Sequence, residues 1–410
     1  MMVLLYFFTS LVAIEIKPLR EIKLSEDEET FLKWPRSFIV TEDDMFFIFD
    51  SKASNIKIYN AAGKLLKIFG RHGMGPNEFI KPSLSSYKEP YLAIGDYGRK
   101  TIFIYKRKSR DSLEFIRKFF CLGMANDIHL VDDNKLLICG YKEATNRKKY
   151  KLYEYDFINN HYQYILANEI AYGYKSYQKF RHDYLDRISY IGAVHYFDYT
   201  NDYIYLVWKG DLKIIKIDRR TKKYDDFGHK TENFVKPQVT PEIRKAYDER
   251  KNRLIYQLRK EMSFVKDIFV LKSNNIGVIY VGPFKKDKQG WVVLQVYSGE
   301  GIFVKELKVI KVSASIHNEV FSYFMKNKNL LYIMDTETSE KFDQFHKIYE
   351  FRIEEWKITS LKNGQKNGDR QESKKVYNKK NFSANSAYSA VNNYLFDSGL
   401  AGLEQANENL

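Results

Sequence analysis

The amino-acid sequence predicts an all-β fold, a six-bladed β-propeller of four-stranded antiparallel blades. Three observations lead to this prediction. A strand–turn–strand cassette occurs six times, its units recur about every 45 residues, and strand-favouring aromatics are abundant, with 32 Tyr and 29 Phe in 410 residues. The prediction includes an N-terminal strand that closes the last blade and one helical insertion near residues 240–262.

Each cassette consists of a short apolar strand, a turn and a second apolar strand. The first strands lie at residues 45–50, 91–96, 135–140, 203–208, 277–282 and 330–335. The second strands lie at residues 56–59, 102–105, 152–155, 212–217, 293–297 and 348–351. Several second strands alternate apolar and polar residues, which is typical of a half-buried strand.

The spacing of the cassettes indicates one structural unit per repeat. Asp50 and Asp96 are 46 residues apart, and Asp96 and Gly140 are 44 residues apart. Another short strand lies upstream of each cassette at a nearly fixed offset, 12 residues before Asp50, Asp96 and Gly140. Fourth strands follow in the first two units, at residues 65–69 and 115–119. A lone four-stranded sheet leaves two apolar faces open, and packing the units around an axis buries both.

Closure of the ring requires one more strand. The last unit shows three strands and ends near Ile353, whereas the alternating segment 16–24 belongs to no unit. We expect this segment to supply the outer strand of the last blade, because this arrangement removes an exposed sheet edge. The alternative fold is a pair of antiparallel sandwiches, which the fixed offset within six cassettes disfavours.

The two ends of the chain differ from the propeller region, which is predicted at residues 15–356. Residues 3–14 form an uncharged apolar run that is too short to span a membrane. We therefore interpret 1–14 as a signal peptide or hydrophobic N-terminus, which predicts a periplasmic or secreted protein. No Lys or Arg precedes the run, so a buried strand of a cytoplasmic protein is the alternative. Residues 357–410 are rich in Asn, Ser and Lys and predict a mostly disordered polar tail.

Charge and cysteine content restrict the partners and the redox class. The chain has 67 Lys and Arg against 52 Asp and Glu, which gives a formal net charge of +15. The basic tail can contact an anionic surface, whereas basic residues elsewhere are spread over the blades, so nucleic acid is disfavoured as a partner. The two cysteines, Cys121 and Cys139, exclude a disulfide scaffold and a Cys-rich zinc module. The expected state is a monomer.

Residues 69–79, Phe-Gly-Arg-His-Gly-Met-Gly-Pro-Asn-Glu-Phe, resemble the blade-linking signature of bacterial six-bladed propellers similar to NHL-repeat proteins. In that family a strand ends in Phe-Gly, and a glycine-rich turn ending in Gly-Pro-Gly-Glu-Phe leads into the next blade. Asn77 replaces the last glycine, and we expect it to adopt a left-handed backbone there. The resemblance covers about residues 34–355 and implies the fold; the wider group includes sensor domains, scaffolds, lyases and lactone hydrolases.

Two insertions interrupt the repeats. Thr240 can cap a helix and Pro241 suits its first position, and the amphipathic pattern predicts a helix to about Met262. The second insertion, near residues 167–190, interleaves Tyr and Arg and includes Arg181 and His182. Such side chains can stack on and hydrogen-bond a planar or sugar-like ligand. Packing against the propeller is the alternative interpretation of both insertions.

Polar residues where the inner strands begin predict a ligand site, because these positions line the central channel of a propeller. Together with the blade-linking turn and the second insertion, the candidate ligand-binding residues are Arg36, Arg71, His72, Asn126, Asp127, His129, Arg181, His182 and Asp267. Asp127 and Asp267 hold equivalent positions, so with His129 they suit a Ca or Zn ion or acid–base chemistry. A hydrated channel with structural hydrogen bonds is the alternative.

The function that these observations favour is an exported binding module for a peptide, protein or glycan, with no catalysis, metal or cofactor assigned. One alternative is a metal-dependent lyase or lactone hydrolase with its site in the channel, and another is an RNA-binding propeller. The eight histidines show no ligand spacing such as His-x-x-x-His, and the sequence has no phosphate loop or nucleophile elbow.

Overall fold

A computed structural model describes the chain at residues 11–121, 125–143, 149–167, 195–238, 240–249, 251, 254, 260–284, 289–313, 319–336 and 346–358. Six four-stranded antiparallel sheets account for nearly all of the regular structure in this part of the chain. The propeller is one compact unit that spans Val12–Trp356.

The first strand of the chain is separated in sequence from the sheet to which it belongs, and two short strands link blades 1 and 2. The opening strand is β1 (Leu11–Lys23). Blade 1 comprises β2 (Pro35–Val40), β3 (Phe46–Asp50), β4 (Asn55–Tyr59) and β5 (Leu65–Phe69). The linker carries β6 (Arg71–His72) and β7 (Glu78–Phe79), which pair in parallel. Blade 2 comprises β8 (Pro82–Lys88), β9 (Tyr91–Asp96), β10 (Thr101–Ser109) and β11 (Ser112–Phe120).

The next two blades repeat the same antiparallel order. Blade 3 comprises β12 (Asp127–Leu130), β13 (Lys135–Glu143), β14 (Lys149–Asp156) and β15 (His161–Ala167). Blade 4 comprises β16 (His195–Tyr199), β17 (Tyr203–Trp208), β18 (Ile214–Asp218) and β19 (Tyr224–Phe227). The helix α1 (Pro241–Asp248) follows blade 4.

The last blade takes its outer strand from the beginning of the chain. Blade 5 comprises β20 (Phe264–Val270), β21 (Ile276–Val281), β22 (Gln289–Tyr297) and β23 (Phe303–Ser313). Blade 6 comprises β24 (Glu319–Met325), β25 (Leu330–Thr336) and β26 (Lys347–Ile358), and β1 pairs with β26. This pairing confirms the predicted closure. It also places Ile14, the last residue of the predicted 1–14 segment, in a fully buried position of the closing strand.

The inner strands of the blades contact one another in the order β2, β8, β12, β16, β20 and β24, and β24 contacts β2 in turn. Six apolar clusters each join one blade to the next. The cluster between blades 6 and 1 contains Phe38 and Tyr332 together with Ile22 of the closing strand. Both faces of every blade are therefore buried against neighbours, which confirms the six-bladed propeller.

The aspartates that mark the first two cassettes attach blades 1 and 2 to the segments that precede them. The carboxylate of Asp96 accepts hydrogen bonds from the backbone N–H groups of Ile80 and Lys81, at 2.7 and 2.9 Å. The carboxylate of Asp50 accepts equivalent bonds from Lys33 and Trp34, at 2.7 and 3.0 Å. Because these carboxylates are buried, they satisfy backbone donors that water cannot reach.

The glycine-rich turn of the blade linker is held by the side chains of Glu78 and Arg99. Glu78 accepts the Gly75 N–H at 2.8 Å, and the Arg99 guanidinium donates to the carbonyl oxygens of Met74, Gly75 and Glu78. Asn77 does not adopt the left-handed backbone that we expected of it. The backbone at Asn77 has no positive φ, so it accepts asparagine without strain.

Gly70 is a linker residue that does require glycine. Its φ is +82°, and a Cβ atom would lie 2.5 Å from the Phe79 ring. That ring is fully buried and packs between Phe69 and Phe103 of neighbouring blades. The missing side chain at Gly70 therefore lets the linker pass directly over the apolar cluster between blades 1 and 2.

The structure describes the predicted helical insertion in part, as α1 and a further helical residue, Leu254. Thr240 caps α1 by accepting the Ile243 N–H at 3.3 Å, as the sequence predicts. The helix ends at Asp248, where the Lys251 N–H bonds the Ala246 carbonyl at 2.7 Å, a bond that closes a helix C-terminus. On the predicted apolar face, Ile243 and Met262 are buried, whereas Leu254 is 38% exposed. Residues 252, 253 and 255–259 lie outside the described part.

Candidate functional site

A cavity of about 990 Å³ lies between the inner strands of the ring. All six inner strands, from β2 to β24, contribute residues to its lining. Its volume falls at the upper end of the range of about 300–1,000 Å³ that is usual for ligand pockets. The central channel is therefore large enough to hold a ligand rather than only ordered water.

The predicted channel residues line this cavity. They are Arg36, Asn126, Asp127, His129 and Asp267. Arg36, Ser83 and Lys266 each occupy a β-bulge, where the inner strand has one residue more than its partner. A bulge redirects a side chain away from the regular pleat. The recurrence of the bulge in blades 1, 2 and 5 explains why the 12-residue offset located channel positions.

His129 lies among carboxylates from three successive blades. Its Nε2 atom is 3.6 Å from Asp127 Oδ2, and its Nδ1 atom is 3.9 Å from Asp198 Oδ1. Asp267, on the inner strand of blade 5, accepts a hydrogen bond from Ser322 Oγ of blade 6 at 3.0 Å. We call Asp127, His129, Asp198 and Asp267 the acidic layer.

Burial and mutual charge change the proton affinity of the acidic layer. Burial opposes the charged imidazolium, but the carboxylates of Asp127, Asp198 and Asp267 outweigh it and raise the pKa of His129 to about 9. Burial, together with the charge of Asp127, raises the pKa of Asp267 to about 8. Burial also raises the pKa of Asp198. At neutral pH the layer therefore holds one protonated imidazole and a protonated Asp267.

The same side chains connect each inner strand to the next blade. Asp127 Oδ2 accepts the backbone N–H of Phe197 at 3.1 Å, and Asp198 Oδ2 accepts that of Val270 at 2.6 Å. In the preceding blade Ser86 Oγ accepts the Leu130 N–H at 2.8 Å. These bonds use the free edges of the inner strands, so the acidic layer fixes neighbouring blades to one another.

Replacing Asp267 with asparagine is expected to stabilise the protein at neutral and alkaline pH, on the order of 1 kcal/mol at pH 7.5. The folded pKa of about 8 lies above the usual 3.8 of an aspartate in an unfolded chain, so folding retains a proton that the unfolded chain releases. The stabilisation of the folded state by this proton is fully present below pH 3.8 and is lost as the pH rises through 8. Asparagine has no charge to bury and keeps an oxygen acceptor for Ser322.

Urea unfolding of the wild-type protein and the Asp267→Asn variant between pH 4 and 8.5 measures this effect. The gain should grow with pH and vanish near pH 4, whereas Asp202→Asn, at an exposed turn, should change little. A variant that is less stable than the wild type at pH 8 would contradict a protonated Asp267.

Among the other predicted site residues that the structure describes, Arg71 and His72 do not line the cavity. Arg71 and His72 form β6 on the blade linker, where Arg71 pairs with Glu78 at 2.9 Å and is 81% exposed at its side chain. His72 Nδ1 lies 3.3 Å from Ser54 Oγ. Arg181 and His182 lie outside the described residues.

Sequence reasoning missed several residues that line the cavity. They are Trp34, Lys81, Tyr97, Asp198 and Lys209. Asp198 was missed because its offset from the cassette differs. It lies 10 residues before Trp208, where the first cassette strand of blade 4 ends, whereas Asp127 lies 13 residues before Gly140, where that of blade 3 ends. Trp34 and Lys81 directly precede inner strands, and Tyr97 and Lys209 directly follow β9 and β17, so a signal for them was available in the turns that flank these strands.

In the described ranges, no group of three or more His, Cys, Asp or Glu side chains has the geometry to hold a metal ion. The oxygens of the acidic layer instead accept backbone and hydroxyl donors. No helix in the same ranges is both long enough and apolar enough to cross a membrane.

Comparison with solved structures supports the propeller fold. The chain is similar to a member of the DUF4221 family from Bacteroides vulgatus, with a TM-score of 0.55 and 13% identity over 83% of this chain and 98% of that chain. It is also similar to a candidate exported protein from Bacteroides fragilis, with a TM-score of 0.51 and 13% identity over 83% of this chain and 95% of that chain. At these identities the likeness shows the fold alone. No family model and no curated protein matches the sequence.

Proposed function

We propose that this protein is an exported binding module that holds a peptide, protein or glycan at its central channel. The observation that carries the proposal is the cavity of about 990 Å³, to which every blade contributes polar or aromatic side chains. A concave site with convergent polar groups on a rigid scaffold suits ligand binding. The inner strands that form the walls are fixed to one another, so the site is preformed.

The acidic layer supports a binding role more than acid–base chemistry. Two of its carboxylates already accept backbone hydrogen bonds from the next blade, at 3.1 and 2.6 Å. A general acid or base must exchange its proton with a substrate atom within hydrogen-bond reach. Asp127 and Asp198 are instead used to hold the walls of the channel together, which leaves the remaining surface for recognition.

Export is the second part of the proposal, and the apolar run at residues 3–14 supports it. Because β1 begins at Leu11 and Ile14 is buried, processing ahead of Leu11 leaves the closing strand intact. We also infer that the blade linker belongs to the NHL-repeat type, since Gly70 and Glu78 make the contacts of a tight glycine-rich turn. Cell fractionation with N-terminal sequencing tests export; a cytoplasmic chain that keeps Met1 would contradict it.

A channel-blocking substitution tests the binding role. Ser85 lines the cavity and donates a hydrogen bond to Ser37 Oγ of the neighbouring blade at 3.2 Å, so Ser85→Trp adds a large ring at the channel wall. Ser112 lies on the outer strand β11, and Ser112→Trp adds the same side chain away from the cavity. We expect defined peptide and glycan arrays to bind the wild type and Ser112→Trp, with at least a tenfold loss for Ser85→Trp.

Two results would contradict the proposal. One is equal binding by both tryptophan variants, which would place the ligand outside the channel. The other is the absence of binding by the wild type to every peptide and glycan on the arrays. Urea unfolding of each variant shows whether the propeller stays folded, so that a loss of binding is assigned to the channel.

A further inference from the structure

One end of the channel carries a concentration of positive charge. Arg36, Lys81, Lys209 and Lys266 line the cavity, and we call them the cationic mouth. Lys81 directly precedes β8, and Lys209 follows β17, whose last residue pairs with the first residue of β16. The Lys209 carbonyl oxygen accepts the Val265 N–H at 2.9 Å, which places Lys209 beside the beginning of β20. The four cations thus lie at the end of the channel where the inner strands begin. Arg36 belongs to blade 1, Lys81 to blade 2, Lys209 to blade 4 and Lys266 to blade 5.

The carboxylates that line the cavity are at other levels. Glu42 and Glu89 follow the last residues of β2 and β8, so they belong to the opposite end of the channel. Asp127, Asp198 and Asp267 form the acidic layer, whose net negative charge is reduced by protonated His129 and Asp267. The mouth therefore presents a positive potential to a ligand that approaches from its side.

Two exposed aromatic side chains stand beside the cationic mouth. Trp34 is 39% exposed and Tyr97 is 50% exposed, and both line the cavity. The Arg36 guanidinium lies over the Trp34 ring at 5.0 Å, and the Tyr97 N–H bonds the Lys81 carbonyl at 2.9 Å. The Trp34 face is therefore adjacent to a cation, and Tyr97 is joined to Lys81 through the backbone. Such pairs can contact a flat apolar face and an anionic group of the same ligand.

In blades 3, 4 and 5 the inner strands offer only part of the backbone edge that an extended peptide requires. Peptides often bind to a sheet edge through backbone N–H and C=O groups. Here the edge N–H groups of Leu130, Phe197 and Val270 are already bound by side chains of the preceding blade. Recognition in this channel depends on charge and on aromatic faces instead. This favours an acidic saccharide, which combines carboxylate or sulfate groups with flat sugar faces, over a peptide.

We propose that the cationic mouth binds an anionic polysaccharide. The positive side chains contact its carboxylate or sulfate groups, and Trp34 and Tyr97 stack against its sugar rings. This inference rests on the proposed function and names the class of ligand. It assigns roles to Lys81 and Lys209, which the sequence pattern did not single out.

Binding to defined polymers tests the inference, because they separate charge from sugar. Polygalacturonate tests a polysaccharide with carboxylate groups, and dextran sulfate tests one with sulfate groups. Uncharged dextran is the control for sugar without charge. Poly-glutamate and a single-stranded oligonucleotide are the controls for anionic polymers that are not polysaccharides. We expect the wild type to bind polygalacturonate or dextran sulfate in low salt, to bind dextran at least tenfold more weakly, and to release the anionic polysaccharide as NaCl increases.

A matched pair of charge variants distinguishes binding at the cationic mouth from general attraction to the positive charge of the protein. The test variant is Arg36→Gln, Lys81→Gln and Lys266→Gln combined, and the control is Lys67→Gln, Lys118→Gln and Lys223→Gln combined. The control residues are exposed on outer strands or a turn, and the two variants lose the same charge. We expect about a tenfold or greater loss of polysaccharide binding for the test variant and less than a twofold change for the control.

Several outcomes would overturn the inference. They are no binding of either anionic polysaccharide, equal losses in the two charge variants, or tighter binding of poly-glutamate or the oligonucleotide. A ligand from the peptide arrays that is lost in Ser85→Trp, with no polysaccharide bound, would overturn this inference while the proposed function stands. A Trp34→Ala variant tests stacking. An unchanged affinity of this variant for the polysaccharide would show that the Trp34 ring does not contribute to binding.

Discussion

Replacing Asp50 with alanine will lower the free energy of unfolding by about 3–5 kcal/mol, because it leaves a buried charge without its partner. Lys57 Nζ lies 3.1 Å from the Asp50 carboxylate, and the two side chains are 2% and 0% exposed. Burial lowers the pKa of Lys57, and Asp50 opposes that change. The substitution also removes the acceptor for the backbone N–H groups of Lys33 and Trp34, at the beginning of blade 1.

Urea unfolding measures this loss, with Asp225→Ala on the exposed strand β19 as the control. A second variant identifies its cause. Combining Asp50→Ala with Lys57→Met removes both charges, and we expect it to recover part of the lost stability, because an apolar pair has no unpaired charge to bury. If the double variant is less stable than Asp50→Ala, the orphaned ammonium is not the main cost.

The architecture was predictable because a propeller repeats its pattern six times. Asp50 and Asp96 have the same position in their units and bind the backbone of the preceding segment in the same way. The spacing of these aspartates located them, but their hydrogen-bonding role depends on where the chain folds back, which spacing does not show. The closing strand was predictable for a related reason, since its alternating pattern belonged to no repeat.

The channel was predictable only where the blades keep a common register. The bulge in blades 1 and 5 places Arg36 and Lys266 at the same level, and the offset from the cassette found both. Blade 4 has no such bulge in its inner strand, and Asp198 lies deeper along it. The charge state of the acidic layer was not predictable, because it depends on distances between blades that are far apart in sequence.

Replacing Glu26 with alanine will open the closure of the ring and will destabilise the protein by about 3–5 kcal/mol. Glu26 follows the closing strand and lies against His346, which precedes β26, and the two side chains are 4% and 5% exposed. The carboxylate accepts the backbone N–H groups of Leu32 and His346, at 2.6 and 2.8 Å, and contacts His346 Nδ1 at 2.9 Å. Its removal leaves these buried donors unsatisfied.

The pH dependence of stability tests the same contact. Burial raises the pKa of Glu26, but the hydrogen bonds and charge of His346 outweigh it, so the pKa lies below its usual 4.5. A lowered folded pKa contributes stability that is present above pH 4.5 and is lost as the pH falls through the folded value. Glu26→Gln cannot gain a proton there, so its stability should fall less steeply than that of the wild type below pH 4.5.

Limited proteolysis distinguishes opening of the closure from general destabilisation. Because β1 is attached at the edge of blade 6, cleavage between Lys23 and Leu32 should accelerate in Glu26→Ala before the other blades become accessible. Glu28→Ala changes an exposed carboxylate two residues away and should leave both cleavage and unfolding unchanged. If cleavage of the Glu26→Ala variant begins in blades 2 to 4, the ring is not closed through this contact, and β1 is held by its pairing with β26 and by its apolar side chains.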